Sequence, residues 1–226
     1  MKKNLVYLSA LILSMGFFYG CNDDGDAKEN LLGTWNLKQS DALYIIWESS
    51  ESITIGGIKM PTASVAALMV EYGSVKLQEE LRSITFKSDE NIEVDYKSES
   101  GGFTKDVYGK YKALSKSDLL YFPDVEKLLK NVDGIGDATI NEMKELSKLG
   151  IPVKCSLTGS NLSEAYFYFE TNTIKEMKIL FYVLAASISG DNVEDKIIKT
   201  VLEALPAVLD KTSKIEIGLG FYKMNS

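Results

Sequence analysis

Short segments in which apolar and polar residues alternate limit the fold of this chain more than any other feature of its sequence. In the segment 92–97, Ile92, Val94 and Tyr96 alternate with charged residues. The same pattern recurs at residues 84–87, 107–114, 119–122, 151–157, 162–169 and 214–223. A period of two places one side of a strand in the core and the other in water, which predicts an antiparallel sheet.

Segments with helical periodicity separate these strands. One apolar stripe with spacings of three and four begins just after Thr62 and comprises Val65, Leu68, Met69, Tyr72 and Val75. Further helical patterns occupy residues 125–131, 137–149, 174–189 and 191–205. Several strands interrupted by several helices predict an α+β fold.

The N-terminus has the order of parts of an export signal. Lys2 and Lys3 precede an apolar stretch at residues 5–18, which is shorter than the ~20 residues of a membrane-spanning helix. The stretch ends close to Gly20 and Cys21, which resembles a bacterial lipobox. The resemblance implies that Cys21 carries lipid and becomes the first residue of the mature protein. An ordinary cleaved signal followed by a chance cysteine is the alternative.

An acidic run follows the cysteine and contains Asp23, Asp24 and Asp26. It resembles the surface-export signal of lipoproteins from the Bacteroidota, which implies an outer-membrane lipoprotein exposed at the cell surface, or otherwise one facing the periplasm. A solvated linker is the alternative. The predicted organisation is a signal peptide at residues 1–20, a tether at residues 21–30 and one folded domain at residues 31–226.

Charge argues against nucleic acid as a partner. Lysine and arginine total 25 against 32 acidic residues, a formal net charge of −7, and Arg82 is the single arginine. A nucleic-acid-binding surface needs excess positive charge to neutralise phosphates. Residues 131–138 resemble the turn of helix-hairpin-helix DNA-binding modules, but acidic residues follow, so we interpret them as a tight turn between helices.

The residue types that most often perform catalysis are scarce. The chain has no histidine, which excludes Ser-His-Asp and Cys-His catalysis and the usual zinc sites. Cys155 occupies an inward position of a predicted strand, where a free thiol behaves as a small hydrophobe. Glu93 with Asp95 and Glu164 with Glu170 are the remaining carboxylate pairs, on polar strand faces. We therefore expect no enzymatic activity, no cofactor and no metal site.

Two short motifs resemble the lipocalins and related calycin barrels. Leu32-Gly33-Thr34-Trp35 is similar to the Gly-x-Trp opening of that family, and residues 109–121 resemble a hairpin of bacterial lipocalin-like lipoproteins. The resemblance implies a lipocalin-like antiparallel β-barrel or strongly curved sheet of about eight strands, with helical insertions. It also implies that Gly33 and Trp35 lie at the closed end of the barrel. An open sheet with helices on one face is the alternative.

The sequence departs from the lipocalin pattern in its last strand. No arginine is present there to stack on Trp35. Arg82 could supply that contact from an earlier strand, or its chain could simply extend along the sheet toward water.

Two functions fit a barrel of this kind. In the first, a cell-envelope lipoprotein binds a small apolar or amphipathic ligand in the barrel mouth. In the second, side chains and helices fill the barrel, and the lipoprotein is structural or binds a protein partner whose identity the sequence does not reveal. The position of the helix that contains the stripe distinguishes the two functions. If the helix plugs the barrel there is no pocket, and if it lies across the rim it is a lid over one. The residues expected to face a ligand are Trp47, Leu68, Met69, Tyr72, Tyr166 and Tyr168.

The anchoring hypothesis predicts the behaviour of one variant. Cys21→Ala is expected to release the protein from membranes, because acyl chains supply the membrane affinity and no later stretch of the sequence is long and apolar enough to replace them. Carbonate washing of a membrane pellet measures this. If the variant stays in the washed pellet, the lipoprotein interpretation is wrong.

Overall fold

The computed structural model describes residues 25–98, 100–129, 136–188 and 192–223. The predicted signal peptide and three residues of the predicted anchor region, Cys21, Asp23 and Asp24, lie outside these ranges. Most of the turn predicted within residues 131–138 also lies outside them.

Eleven strands lie within the described ranges, and most of them coincide with segments of alternating polarity. The strands are β1 (Gly33–Leu37), β2 (Leu43–Ser49), β3 (Ser52–Ile55), β4 (Ile58–Pro61), β5 (Leu81–Phe86), β6 (Asn91–Lys97), β7 (Phe103–Ala113), β8 (Asp118–Pro123), β9 (Ile151–Thr158), β10 (Glu164–Phe169) and β11 (Thr212–Lys223). All of their pairings are antiparallel.

Eight strands close into a barrel. Their order is β1-β5-β6-β7-β8-β9-β10-β11, and β11 returns to pair with β1. The predicted α+β fold with a lipocalin-like barrel of about eight strands is therefore confirmed, and the alternative of an open sheet is wrong. β3 and β4 form a separate hairpin whose turn is Gly56–Gly57, both with positive φ, as the left-handed conformation of a tight turn requires.

The strands β1 and β2 pair with the same edge of β11, one after the other. Residues 38–42 between them loop out of the sheet opposite Gly220. The N–H of Gly220 donates to the carbonyl of Ala42, and the carbonyl of Gly220 accepts from the N–H of Lys38, each at 2.9 Å. β2 then continues along β11 toward the barrel mouth, away from β5, so the wall is open between β2 and β5.

Helices surround this opening and the opposite side of the barrel. None of the helices in the described part of the chain has both the length and the apolar character needed to cross a membrane. The α-helices are α1 (Gly25–Leu31), α2 (Thr62–Glu80), α3 (Val125–Leu129), α4 (Asp137–Leu149), α5 (Thr171–Glu176), α6 (Lys178–Ser187) and α7 (Val193–Val208).

Helix α2 covers the edge of β2 that pairs with no described strand. The Oγ of Ser74 accepts the N–H of Leu43 at 3.1 Å, and the Oγ1 of Thr62 donates to the carbonyl of Trp47 at 3.3 Å. These two bonds satisfy backbone groups near both ends of β2. A helix thus protects this sheet edge in place of a further strand.

The apolar stripe predicted for α2 is rotated in the structure. Met69 is buried, but Leu68 and Tyr72 are only partly buried and Val75 is 55% exposed. The buried face of the helix comprises Thr62, Val65, Ala66, Met69, Gly73, Ser74 and Leu77.

Small residues on this face explain the rotation. A Cβ added at Gly73 would lie 2.6 Å from the Cδ2 of Leu43, so the helix backbone approaches β2 more closely than a larger residue would allow. Gly73 costs helix propensity, as its position in the sequence suggests. The structure shows that this glycine allows α2 to pack closely against β2.

Helix α1 covers residues that the sequence pattern assigns to the tether, including Asp26. Leu31 at its end is buried in the core, and the Nζ of Lys28 lies 3.0 Å from the Oε1 of Glu90 in the turn between β5 and β6. These contacts hold the start of the described chain against the closed end of the barrel.

One glycine on β11 provides a test of this packing. A Cβ at Gly218 would lie 2.1 Å from the carbonyl oxygen of Phe167 and 2.4 Å from the Cβ of Tyr168, so backbone would have to move. We expect Gly218→Ala to lower the free energy of unfolding by about 2–3 kcal/mol, as for other overpacked sites. Urea denaturation measures this.

The matched control is Gly102→Ala. A Cβ at Gly102 meets no atom within 4 Å, so its effect should stay within about 0.5 kcal/mol. Equal effects of the two substitutions would contradict the close approach of β10 to β11.

Candidate functional site

The closed end of the barrel is built on Trp35. Its side chain is fully buried, and its indole N–H donates to the carbonyl of Leu31 in α1 at 2.7 Å. Its ring meets that of Phe167 edge to face, with centroids 6.0 Å apart. The residue opposite Trp35 in β5 is Ile84, which is also fully buried. Trp35 thus joins the first strand, the barrel interior and α1.

A lysine covers the ring of Trp35. Lys223 lies opposite Trp35 in the β1–β11 pair, and its ammonium lies 5.1 Å from the ring centroid, within the range of a cation–π interaction. The same ammonium donates to the carbonyl of Asn30 at 2.8 Å. Burial lowers the pKa of Lys223. The last strand therefore supplies the cation that the lipocalin resemblance implies, but as a lysine.

Of the two arrangements considered for Arg82, the structure shows the one in which the side chain extends toward water and does not contact Trp35. The β5–β6 pairing is irregular at this point, since Leu81 lies opposite Tyr96 and Ser83 lies opposite the next residue, Asp95. This bulge turns the Arg82 side chain outward, where it is 59% exposed. Its guanidinium stacks 4.0 Å from the ring centroid of Phe103.

An apolar cavity lies at the opposite end, in the barrel mouth. Its volume is about 60 Å³, and the inner faces of β2 and β11 line one side of it, while α2, α6 and α7 line the other. The lining residues are Leu43, Ile45, Trp47, Met69, Gly73, Leu77, Phe181, Leu184, Ile198, Val201, Leu202, Leu205, Ile215 and Ile217. None of them carries a charge, so the space suits hydrocarbon rather than a polar group.

Trp47 marks this mouth. It is 4% exposed and lies opposite Ile215 near the start of β11, whereas Trp35 lies opposite the last residue of the same strand. Its indole N–H donates to the Oγ1 of Thr212 at 3.1 Å, and that hydroxyl donates to the carbonyl of Val208 at 3.0 Å. The polar atom of Trp47 is thereby satisfied without entering the cavity.

Only some of the residues expected to face a ligand line the mouth cavity. Trp47 and Met69 line the mouth cavity. Leu68 and Tyr72 belong to α2 but are not among the lining residues, because the buried face of the helix is rotated. Helix α2 itself neither plugs the barrel nor lies across its rim; it forms part of the wall beside β2.

Tyr166 and Tyr168 point outward from the barrel. Phe167 and Phe169 of the same strand are buried inside, so alternation places the tyrosines on the outer face. There both rings flank Tyr44, with centroid distances of 5.3 and 5.4 Å. Neither tyrosine therefore lines the mouth cavity.

The tyrosines cover glycines on the outer face of β11. Gly218 lies opposite both Tyr44 and Tyr168, and Gly220 lies opposite Tyr166. Aromatic rings beside strand glycines shield backbone that would otherwise lack cover. The hydroxyl of Tyr44 donates to Glu216 at 2.6 Å, and burial together with this carboxylate raises the pKa of Tyr44.

Sequence reasoning missed the contribution of α6 and α7 to the site. Phe181 and Leu184 of α6 and Ile198 and Leu202 of α7 are buried against the cavity. The apolar run at residues 179–186 was the available signal, because a helix that is apolar on most sides must be covered. Its position over the barrel mouth depends on tertiary contacts that the run does not encode.

A second cavity of about 20 Å³ lies inside the barrel, beside Phe167 and Leu219. Cys155 lies opposite Phe167 in the sheet and is 4% exposed. Burial raises the pKa of its thiol to about 12, so the reactive thiolate is disfavoured at neutral pH. Cys155 therefore acts as a core residue.

The carboxylates singled out in the sequence lie near cations. The pairs, with their closest nitrogen–oxygen distances, are Glu93 with Lys87 (2.5 Å), Asp95 with Arg82 (3.9 Å), Glu164 with Lys38 (2.5 Å) and Glu170 with Lys154 (3.7 Å). Asp95 is buried, whereas Glu164 and Glu170 are about half exposed, and ion pairs in such exposed positions contribute roughly 0–1 kcal/mol.

The fold and this mouth define an α+β protein with a closed, lipocalin-like barrel and an apolar cavity between two strands and three helices. Comparison with protein-family models, with curated proteins and with solved structures finds no match to the chain.

The closed end makes a prediction about stability. Trp35→Ala should lower the free energy of unfolding by about 3–5 kcal/mol, the range for removing a large buried aromatic side chain. The control is Tyr182→Ala on α6, where the side chain is 51% exposed, so the loss should stay within about 0.5 kcal/mol. Chemical denaturation monitored by circular dichroism measures both. A loss below about 1 kcal/mol for Trp35→Ala would contradict its place in the core.

Proposed function

We propose that this protein is a non-enzymatic lipoprotein of the cell envelope that binds a small apolar or amphipathic ligand in the mouth of its barrel. The observation that carries the proposal is the mouth cavity, which has an apolar lining from three helices and two strands. Barrel mouths are common places for ligands, and apolar lining is typical of ligand pockets.

An empty cavity in the core lowers the stability of the protein. At about 24 cal/mol per Å³, a space of about 60 Å³ costs roughly 1.4 kcal/mol of stability. A cavity lined only by apolar residues stays dry, because water inside it would lack hydrogen-bond partners. An apolar group that enters it regains lost contacts without displacing ordered water.

The volume limits what the mouth accepts in this conformation. About 60 Å³ is less than half of the ~150 Å³ of an engineered cavity that holds benzene, and far below the ~300–1,000 Å³ of typical ligand pockets. The proposed ligand therefore inserts one narrow apolar chain, or α6 and α7 move apart to admit more. A polar head group would stay outside.

The rim suits such a head group. Lys211 and Glu51 form an ion pair of 2.8 Å there, and their side chains are 66% and 38% exposed. The rim is continuous with the mouth, since the Oγ of Ser49 at the end of β2 donates to the carbonyl of Lys211 at 2.9 Å. Charged groups at the rim and hydrocarbon below it match an amphipathic molecule.

A second function has its own supporting observation. Large buried rings occupy the barrel beneath the mouth, and a cavity of about 20 Å³ lies among them. They are Trp35, Phe86, Tyr111, Tyr121, Phe167 and Phe221. The second proposal is therefore a filled barrel that serves as a structural or protein-binding lipoprotein.

The cellular placement is part of the proposal. Lipid on Cys21 would anchor the protein to the membrane, and the acidic residues Asp23, Asp24 and Asp26 would direct it to the outer surface of the outer membrane. The support for both steps is the order of the basic residues, the apolar stretch, Gly20-Cys21 and the acidic run in the sequence.

A pair of matched substitutions tests the ligand site. Leu205→Ala enlarges the mouth cavity, and Leu119→Ala enlarges the cavity inside the barrel; both leucines are 2% exposed. Each should lower stability by about 2–5 kcal/mol. Only Leu205→Ala should bind decanoic acid more tightly than the wild type, by about tenfold if ~1.4 kcal/mol is gained. Calorimetric titration measures the affinity.

A filling substitution provides the converse. Val201→Phe places a ring in the mouth cavity and should abolish binding of decanoic acid. Since Trp47 lines the same cavity, its fluorescence should then no longer change when decanoic acid is added. If neither the wild type nor Leu205→Ala binds decanoic acid, the filled-barrel function is the correct one of the two.

A further inference from the structure

The described chain starts at the end of the barrel opposite the mouth. Three contacts hold α1 there: the bond from Trp35 to Leu31, the bond from Lys223 to Asn30, and the ion pair of Lys28 with Glu90. Leu31 is 3% exposed. The start of α1 is therefore fixed relative to the closed end.

The distance from α1 to the proposed anchor is short. Four Cα–Cα steps separate Gly25 from Cys21. Even fully extended, at about 3.8 Å per step, they span at most ~15 Å. If Cys21 carries the lipid, Gly25 cannot lie farther than this from the position of the anchored residue.

The mouth is farther away than this tether can reach. Strand β11 runs from Thr212 beside the mouth to Lys223 under Trp35. Its 12 residues span roughly 36 Å, or about 28 Å along the axis of a barrel whose strands tilt by about 40°. The anchored residue lies within ~15 Å of Gly25, and the seven residues of α1 add at most about 9 Å. The closed end therefore stays within ~24 Å of the lipid, which is less than the ~28 Å needed to point the mouth straight at the bilayer.

We propose that the closed end, with α1 and the turn between β5 and β6, is the membrane-facing surface, and that the mouth takes its ligand from the aqueous side. This placement rests on the proposed anchoring at Cys21. The ligand is then a molecule that arrives through water or from a soluble partner, since a lipid diffusing within the same bilayer does not meet the mouth.

Two labelled variants test the placement. One variant, Lys110→Cys, places a dye-labelled cysteine near the closed end, opposite Asn91 at the start of β6. The other, Ser213→Cys, places it at the mouth, and both positions are exposed. Cys155 is buried and does not compete for a thiol-reactive dye. The full-length lipidated variants are incorporated into phosphatidylcholine vesicles that contain lipid with a spin label on its head group, which quenches nearby dye.

The expected result is quenching at position 110 that is several-fold stronger than at position 213. It should be unchanged by salt, because the tether length and not surface charge sets the orientation. Comparable or stronger quenching at position 213 in vesicles that carry the protein overturns the placement and leaves the anchoring intact. Failure of the protein to float with the vesicles overturns the anchoring at Cys21, and the placement with it.

Discussion

The backbone pairing of β11 with three other strands is the constraint on which the rest of this structure depends. One edge of β11 pairs with β10, and the other pairs with β1 and β2 in succession. Closure by β1 removes the free edges that an open sheet would expose, and it places Trp35 beneath Lys223. Gly218 and Gly220 make this crowded strand possible, because a side chain at either position would collide with β10, and one at Gly220 also with the loop at residues 38–42.

The same pairing makes the two ends of the barrel different. At the closed end Trp35 contacts α1, its neighbouring strands and Phe167 of β10 across the barrel, and the polar atom of the indole is bonded. At the mouth, β2 pairs with β11 but not with β5, and helices cover the gap between β2 and β5. The helices α2, α6 and α7 pack against β2 and β11 there, and the space left between them is the apolar cavity. The binding hypothesis thus follows from how the barrel is closed.

Much of this fold could be predicted from the sequence, because alternation encodes which strand face is buried. It identified β5 to β11, and the Gly-x-Trp motif pointed to the closed end. Three features could not be predicted from the alternation pattern. The bulge at Arg82 reverses the direction of one side chain, the close approach at Gly73 rotates the buried face of α2, and the choice of inner face sends Tyr166 and Tyr168 outward. Each depends on the partner segment, which local periodicity does not specify.

The most direct measurement of the central claim is a crystal structure of the protein under xenon pressure. Xenon enters dry apolar cavities and scatters strongly, so it reports space that is available to an apolar ligand. Our account predicts a xenon atom in the mouth, among Trp47, Met69 and Leu202, with the rest of the barrel unchanged. A mouth filled by side chains or by ordered water, with no xenon between the helices and the strands, would contradict it.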